Sequence, residues 1–180
     1  MKIMFVADLH GSVYYAKEAL RIFKDLNADY IWILGDILYS GGWAEPRDYN
    51  SRETARLLNQ YASQIVAVRG NCDCDADINI LSFPAMGLYS YVMLERRRFF
   101  LTHGHLYDNS NIPYLKKGDV FLYGHTHKIQ AENKDGVFLA NPGSIALPKT
   151  SSLHSYGLFS NNRILVMTVD GHVLTELDLL

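Results

Sequence analysis

The chain is poor in several things that would define other classes of protein. Its 180 residues include two cysteines, Cys72 and Cys74, one residue apart. That spacing is too tight for a structural disulfide and predicts a reduced, intracellular setting. Long apolar runs are absent as well. The opening stretch Ile3 to Ala7 stops at Asp8, which predicts neither a signal peptide nor a membrane-spanning helix and points to a cytoplasmic protein. The formal net charge is only −2, which argues against general nucleic-acid binding or an anionic membrane surface. One basic cluster stands out, Arg96-Arg97-Arg98, and it reads as a solvated hairpin turn. No internal repeat, low-complexity tract or linker divides the sequence. With 48% hydrophobic and 20% charged residues, the expectation is one globular domain over 1–180 with one sizeable core.

What is present centres on Tyr30-Ile31-Trp32-Ile33-Leu34-Gly35-Asp36. This short apolar run has the signature of a strand buried on both faces of a parallel sheet. It ends in a glycine and a carboxylate. A charge placed directly after a core strand is costly unless a cation compensates it. In open α/β sheets the C-terminal ends of strands are also where ligands bind. A lone aspartate in such a place is usually a turn or cap residue, so Asp36 gains weight only from its company.

That company recurs along the chain. Lys2 to Ala7 predicts a strand ending in Asp8-Leu9-His10-Gly11. A helix follows from Ser12, with Ala16, Ala19, Leu20, Phe23 and Leu26 at helical spacing. The Asp36 strand then makes a strand-helix-strand unit, which puts Asp8 and Asp36 side by side at one sheet edge. Residues 39–52 are turn-rich and predict a long surface loop, a wall facing substrate in which Trp43, Arg47 and Tyr49 are candidates. Glu53 to Ala62 predicts a second helix. Ile65 to Val68 predicts a third strand, ending in Arg69-Gly70-Asn71-Cys72-Asp73.

The second half predicts hairpins: Tyr89 to Glu95 with Arg97 to Thr102, Ile129 to Asn133 with Val137 to Ala140, and Ile164 to Val169 with Val173 to Leu177. Between them, Val120 to Tyr123 runs as a strand into Gly124-His125-Thr126-His127, and Asn141-Pro142-Gly143-Ser144 reads as a turn. The order predicts an α/β protein, two packed mixed β-sheets flanked by helices. Five loops then present metal-type side chains after apolar runs: Asp8 with His10, Asp36, Asn71, His103, and His125 with His127. Five of the seven histidines lie in these turns once His105 is included, too many for chance placement. Histidine with carboxylate suits divalent Mn, Fe, Co or Zn. The set fits two ions sharing one carboxylate, a geometry used for attack at phosphorus with metals about 3.5–4 Å apart. His154 and His172 read as ordinary surface residues.

The motifs Asp8-Leu9-His10, Gly35-Asp36, Gly70-Asn71-Cys72-Asp73, Thr102-His103-Gly104-His105 and Gly124-His125-Thr126-His127 resemble the calcineurin-like metallophosphoesterase signature, in family order. The resemblance implies an α/β/β/α sandwich and a phosphoesterase, most simply a phosphodiesterase acting on a small phosphoester. It implies that Asp8, His10, Asp36 and His127 hold one divalent ion and that Asp36, Asn71, His103 and His125 hold the other. Asp36 would bridge, and a hydroxide between the ions would attack in line. Mn2+ is the first metal implied, with Zn2+, Fe2+, Co2+ or Ni2+ as alternatives. Gly11 and the helix N-terminus after it are implied as backbone donors to the phosphoryl anion.

One position departs from the family. Cys72 stands where the family usually has a histidine thought to protonate the leaving oxygen, and a neutral thiol is a poorer acid near pH 7. Cys72 and His105 therefore join Asp36 and Asn71 as catalytic candidates, with His105 weighted towards orienting a ligand. A metal or redox role for Cys72 with Cys74 is a minor alternative. The rival functions are a phosphomonoesterase of the same fold and a non-catalytic scaffold like the related eukaryotic retromer subunit. The scaffold is disfavoured because all seven ligand positions carry side chains able to coordinate. A homo-oligomer is left open.

Overall fold

In the computed structural model, which describes residues 1–42, 44–149 and 153–180, the first two apolar runs form Ile3–Val6 (β1) and Tyr30–Ile33 (β2). They pair in parallel, with Phe5 opposite Trp32 and Val6 opposite Ile33. Between them runs Val13–Asp25 (α1), whose start is fixed by Ser12: its hydroxyl accepts the Tyr15 backbone N–H at 3.2 Å. The apolar stripe read from the sequence is buried, and Ala16, Ala19, Leu20 and Phe23 pack onto Met4, Val6, Ile31 and Ile33. Ser51–Asn59 (α2) begins two residues before the predicted Glu53, because the Asn50 side chain accepts the Glu53 N–H at 3.0 Å and caps the helix there. Its end tightens into a 3-10 turn at Ala62–Gln64, and Ile65–Ala67 (β3) joins β2 in parallel.

Eight more strands follow: Tyr89–Leu94 (β4), Arg97–Thr102 (β5), Val120–Leu122 (β6), Ile129–Lys134 (β7), Val137–Pro142 (β8), Ser155–Ser160 (β9), Arg163–Thr168 (β10) and Val173–Asp178 (β11). They complete a six-stranded sheet ordered β11-β10-β9-β1-β2-β3 and a five-stranded sheet ordered β4-β5-β6-β8-β7. Both are mixed. Asn141 and Pro142, expected in a turn, are instead the end of β8.

Between the sheets lies an aromatic core. Trp32 meets Phe99 edge-on at 5.2 Å, and Phe99 meets Phe159 at 5.0 Å. Each such side chain contributes roughly 1.5–3 kcal/mol by leaving water. Both helices lie on the outer face of the six-stranded sheet. On the other outer face, Tyr107, Ile112 and Leu115 from the segment after β5 cover Phe100, Phe121 and Leu139. No helix of the described residues is long and apolar enough to cross a membrane.

The arginine triplet is not one solvated turn. Arg96 is exposed in the β4–β5 turn with φ +65°, but Arg98 pairs with the buried Asp119, and Arg97 donates to the Gly118 and Leu179 carbonyls. Strand alternation turns the latter two towards acceptors that a reading of local charge does not see.

Candidate metal centre

Five strands deliver the site. β1, β2 and β3 run parallel in one sheet, and β5 and β6 run parallel in the other. Their C-terminal ends release Asp8, Asp36, Asn71, His103 and His125 with His127 respectively. The turns are sharp enough that Asp8 (φ +59°), His10 (+48°), Asp36 (+53°), His125 (+65°) and His127 (+56°) all adopt the left-handed region, uncommon for non-glycine residues. The tightness also dictates the neighbouring glycines. At Gly35 φ is +86°, and a Cβ would sit 2.7 Å from the His103 Nδ1; at Gly70 a Cβ would fall 2.0 Å from the Asp36 Oδ1.

Asp8, His10, Asp36, His103 and His127 converge in a buried knot. His127 Nε2 stands 3.3 Å from Asp8 Oδ1, and His10 and His103 Nε2 each stand 3.9 Å from it. Asp36 Oδ2 faces the same His10 and His103 nitrogens at 3.7 and 3.2 Å. Asn71 Oδ1 reaches His103 Nε2 at 3.1 Å from an exposed position. His125 and His105 border the knot at the rim, their rings 5.1 and 5.5 Å from that of His103.

The imidazoles are held from behind. His10 Nδ1 donates to the Tyr39 carbonyl at 2.8 Å, His103 Nδ1 to the Leu34 carbonyl at 2.7 Å, and His127 Nδ1 to the Leu147 carbonyl. A carbonyl only accepts, so each Nδ1 carries hydrogen and each Nε2 is turned to the centre, the arrangement in which histidine binds metals. The carboxylates are anchored too. Asp36 Oδ1 accepts the Cys72 N–H at 2.9 Å, and Asp8 Oδ2 accepts the His125 N–H at 3.2 Å.

Protonation follows from this crowding. Burial disfavours charge on His103, but its hydrogen bond to Asp36 and the charges of Asp8 and Asp36 outweigh that and push it up to about 9. His127 is likewise raised, burial being overcome by Asp8 and the Leu147 carbonyl. For Asp36, burial is overcome by the His103 hydrogen bond and charge, which hold the carboxyl well below the usual range. Burial, then the neighbouring His103 charge, lowers His105 and His125. Burial and the Asp36 charge push the Cys72 thiol up to about 12.

One atom decides what the knot fits. Asp8 Oδ1 is wholly buried and accepts no hydrogen bond, although three imidazole nitrogens surround it. Negative and lone-pair groups packed together in this way suit a cation. A family model for the calcineurin-like phosphoesterase superfamily domain matches residues 1–163. The chain belongs to that superfamily. It is 41% identical to Phosphodiesterase YfcE of Escherichia coli, over 94% of this chain and 93% of that one. Against Phosphodiesterase MJ0936 of Methanocaldococcus jannaschii the identity is 28%, over 79% and 83%. The solved structure of YfcE, described as a phosphoesterase, superposes with a TM-score of 0.98 at 38% identity over the full length of both chains. Vps29 from Entamoeba histolytica shares the fold at TM-score 0.63 and 21% identity, over 99% of both. Members of this superfamily take divalent metal ions, and the knot supplies donors for them.

The structure revises several sequence expectations. Gly11 N–H donates to the Ile37 carbonyl at 2.9 Å and Val13 N–H to the Asp48 carbonyl at 3.0 Å, so these amides are already used and do not face an anion. In the 39–52 loop, the Arg47 guanidinium lies 3.6 Å over the Tyr14 ring and Tyr49 packs against Gly11; Trp43 lies outside the described residues. His154 is half-buried, bonded to the Tyr15 hydroxyl at 2.8 Å and the Ile145 carbonyl at 2.9 Å, whereas His172 is exposed as expected. Asp73 lies in a polar turn whose local sequence points to no particular role. It is buried, and its carboxylate accepts the N–H groups of Asp36, Ile37 and Gly70 at 2.9, 2.7 and 2.7 Å, clamping the Asp36 turn. Ser144 similarly ties the Asp8 turn, its hydroxyl donating to the Asp8 carbonyl at 3.0 Å.

Proposed function

We propose that this chain is a metal-dependent phosphodiesterase that holds two divalent cations, Asp8, His10, Asp36 and His127 around one and Asp36, Asn71, His103 and His125 around the other. The observation that carries the reading is the buried, unbonded Asp8 Oδ1 amid three imidazole nitrogens anchored from behind. Asp36 is the shared ligand: its Oδ2 faces His10 and His103 at 3.7 and 3.2 Å, closer than the 3.9 Å at which Asp8 Oδ1 faces each of them. The diester preference rests on the two relatives named as phosphodiesterases. Divalent cations here supply Lewis acidity, activating water at neutral pH and neutralising charge on the phosphoryl oxygens. Mn2+ is the first metal to try, with Zn2+, Fe2+, Co2+ and Ni2+ behind it. The free Cys72 and Cys74 suit a reducing cytoplasm.

The chain's own groups set the rest. The carbonyls of Tyr39, Leu34 and Leu147 fix three imidazole rings, and Asp73 fixes the shared carboxylate's turn. His105, lowered by burial and by His103, is neutral near pH 7 and stands beside the ligands as an orienting ring. The Cys72 thiol, pushed up to about 12 by burial and the Asp36 charge, is a poor acid near pH 7, so the departing oxygen receives little acid assistance from that position. The decisive experiment strips the protein with a chelator and assays diesters and monoesters as metals are restored. Activity returning with Mn2+ and greater on diesters supports the reading. Full activity in a verified metal-free preparation refutes it, and faster monoester turnover transfers the chain to the phosphomonoesterases.

A further inference from the structure

Cys72 has an unassigned geometric relation to the centre. A His10 ring nitrogen, an Asp36 carboxylate oxygen and Cys72 Sγ all lie within 4.8 Å of one another. Tetrahedral bonds of about 2.0–2.3 Å hold such donors about 3.3–3.8 Å apart, so closure on the order of 1 Å at the widest pair places all three on one cation. The residue is held there. Its backbone N–H is fixed on Asp36 Oδ1, and the Asn71 side-chain amide donates to its sulfur at 3.4 Å. Cys74 takes no part: it is exposed, caps the 3-10 turn Asp75–Asn79, and belongs to no such cluster among the described residues. The buried and unbonded Asp8 Oδ1 marks the same knot as a cation site independently of the sulfur.

We infer that Cys72 Sγ is a further ligand of the cation shared by His10 and Asp36, and that it biases this centre towards thiophilic ions, Zn2+, Co2+ or Cd2+, over Mn2+. The inference rests on the metal-centre reading above and adds a donor to it. On binding, the S–H bond breaks, its proton leaves to solvent and a sulfur lone pair forms the metal bond; nothing is oxidised or reduced. Soft thiolate selects exactly those ions that carboxylate and water alone do not favour, whereas imidazole and carboxylate serve both kinds. A thiol engaged in this way is also unavailable as an acid.

The test uses the full-length, chelator-stripped protein titrated with Co2+ and followed by absorption, with bound metal counted by elemental analysis. A near-ultraviolet thiolate-to-cobalt charge-transfer band is expected in the natural protein and in Cys74→Ser, and its loss in Cys72→Ser. In competition titrations Cys72→Ser should weaken Zn2+ by about tenfold or more and Mn2+ by much less. A measurement without any variant guards against misfolding: Cd2+ should protect Cys72, but not Cys74, from alkylation read by mass spectrometry. Stoichiometric Co2+ binding with no such band overturns the inference and leaves the metal centre standing. Failure to bind Co2+, Zn2+ or Mn2+ at all overturns both.

Discussion

Asp36 combines a left-handed backbone, near-complete burial and two imidazole nitrogens facing one carboxylate oxygen at 3.7 and 3.2 Å. Such a group is tolerable when a cation offsets its charge. Asp36→Asn preserves its volume and removes the charge, whereas His10→Ala removes one donor from one side. Asp36→Asn should therefore lose metal from both positions and reduce kcat/KM at least about tenfold further than His10→Ala. Elemental analysis and turnover on each variant check this, and two retained ions with normal turnover in Asp36→Asn would disprove the shared ligand. Cys72 governs a different property. With no imidazole at that position, the leaving oxygen departs largely unprotonated, which aryl groups tolerate and alkoxides do not. The rate should depend steeply on leaving-group pKa, and Cys72→His should flatten the slope, helping alkyl esters most; acid assistance is typically worth about 10²–10⁴-fold. A series of diesters with graded leaving groups measures it, and equal slopes at equal metal occupancy would turn attention to His105.

The elements matter because they hold strained turns in register. The Asp73 carboxylate satisfies three backbone N–H groups, two of them 36 and 37 residues away in sequence. Asp73→Ala strands those donors at a cost of about 1–3 kcal/mol for each one left buried and unmet. Both the denaturation midpoint of the metal-free protein and its metal affinity should fall, whereas an unchanged affinity would show that the turn holds without its clamp. The sequence displayed Asp73 yet not this role, since a partner so distant leaves no local pattern. What was legible had a period: β1, β2, α1 and the hairpins follow from alternation, helical spacing and caps. The strand Ser155–Ser160 is not legible in the sequence because Gly157 interrupts it and reads as a breaker. Tertiary packing requires that glycine, as a Cβ there would lie 2.0 Å from the Phe5 ring. The metal-type residues were legible because each follows a core strand. His154 misled for the converse reason, its polar partners Tyr15 and Ile145 being supplied only by the fold.

At the scale of the molecule, the centre joins two sheets that otherwise meet through an apolar core and a few hydrogen bonds, such as Ser155 to the Pro142 carbonyl at 2.6 Å. Asp8, Asp36 and Asn71 come from the six-stranded sheet, His103, His125 and His127 from the five-stranded one. A cation held by both binds the folded chain and not the unfolded one, so loading should stabilise by about 4 kcal/mol at a concentration a thousand times Kd. Protons compete for that place. In the metal-free protein His103, pushed up to about 9 by Asp36 and Asp8, holds a proton on the nitrogen that faces the centre. A folded-state pKa above the unfolded value near 6.5 gives a stabilisation complete below about pH 6.5 and lost as pH rises through about 9. Metal binding expels that proton, so apparent affinity for Mn2+, which makes little use of the Cys72 sulfur, should climb with pH by up to tenfold per unit until about 9, where the His103 contribution ends. The metal-induced rise in Tm should accordingly be larger at pH 9 than at pH 7. Thermal scans with and without Mn2+ at both values test this, and titration calorimetry in two buffers of different ionisation enthalpy counts the released proton. Equal Tm shifts and no proton release would mean that His103 already presents a free nitrogen at neutral pH, and that the two carboxylates do not hold its proton in the metal-free chain.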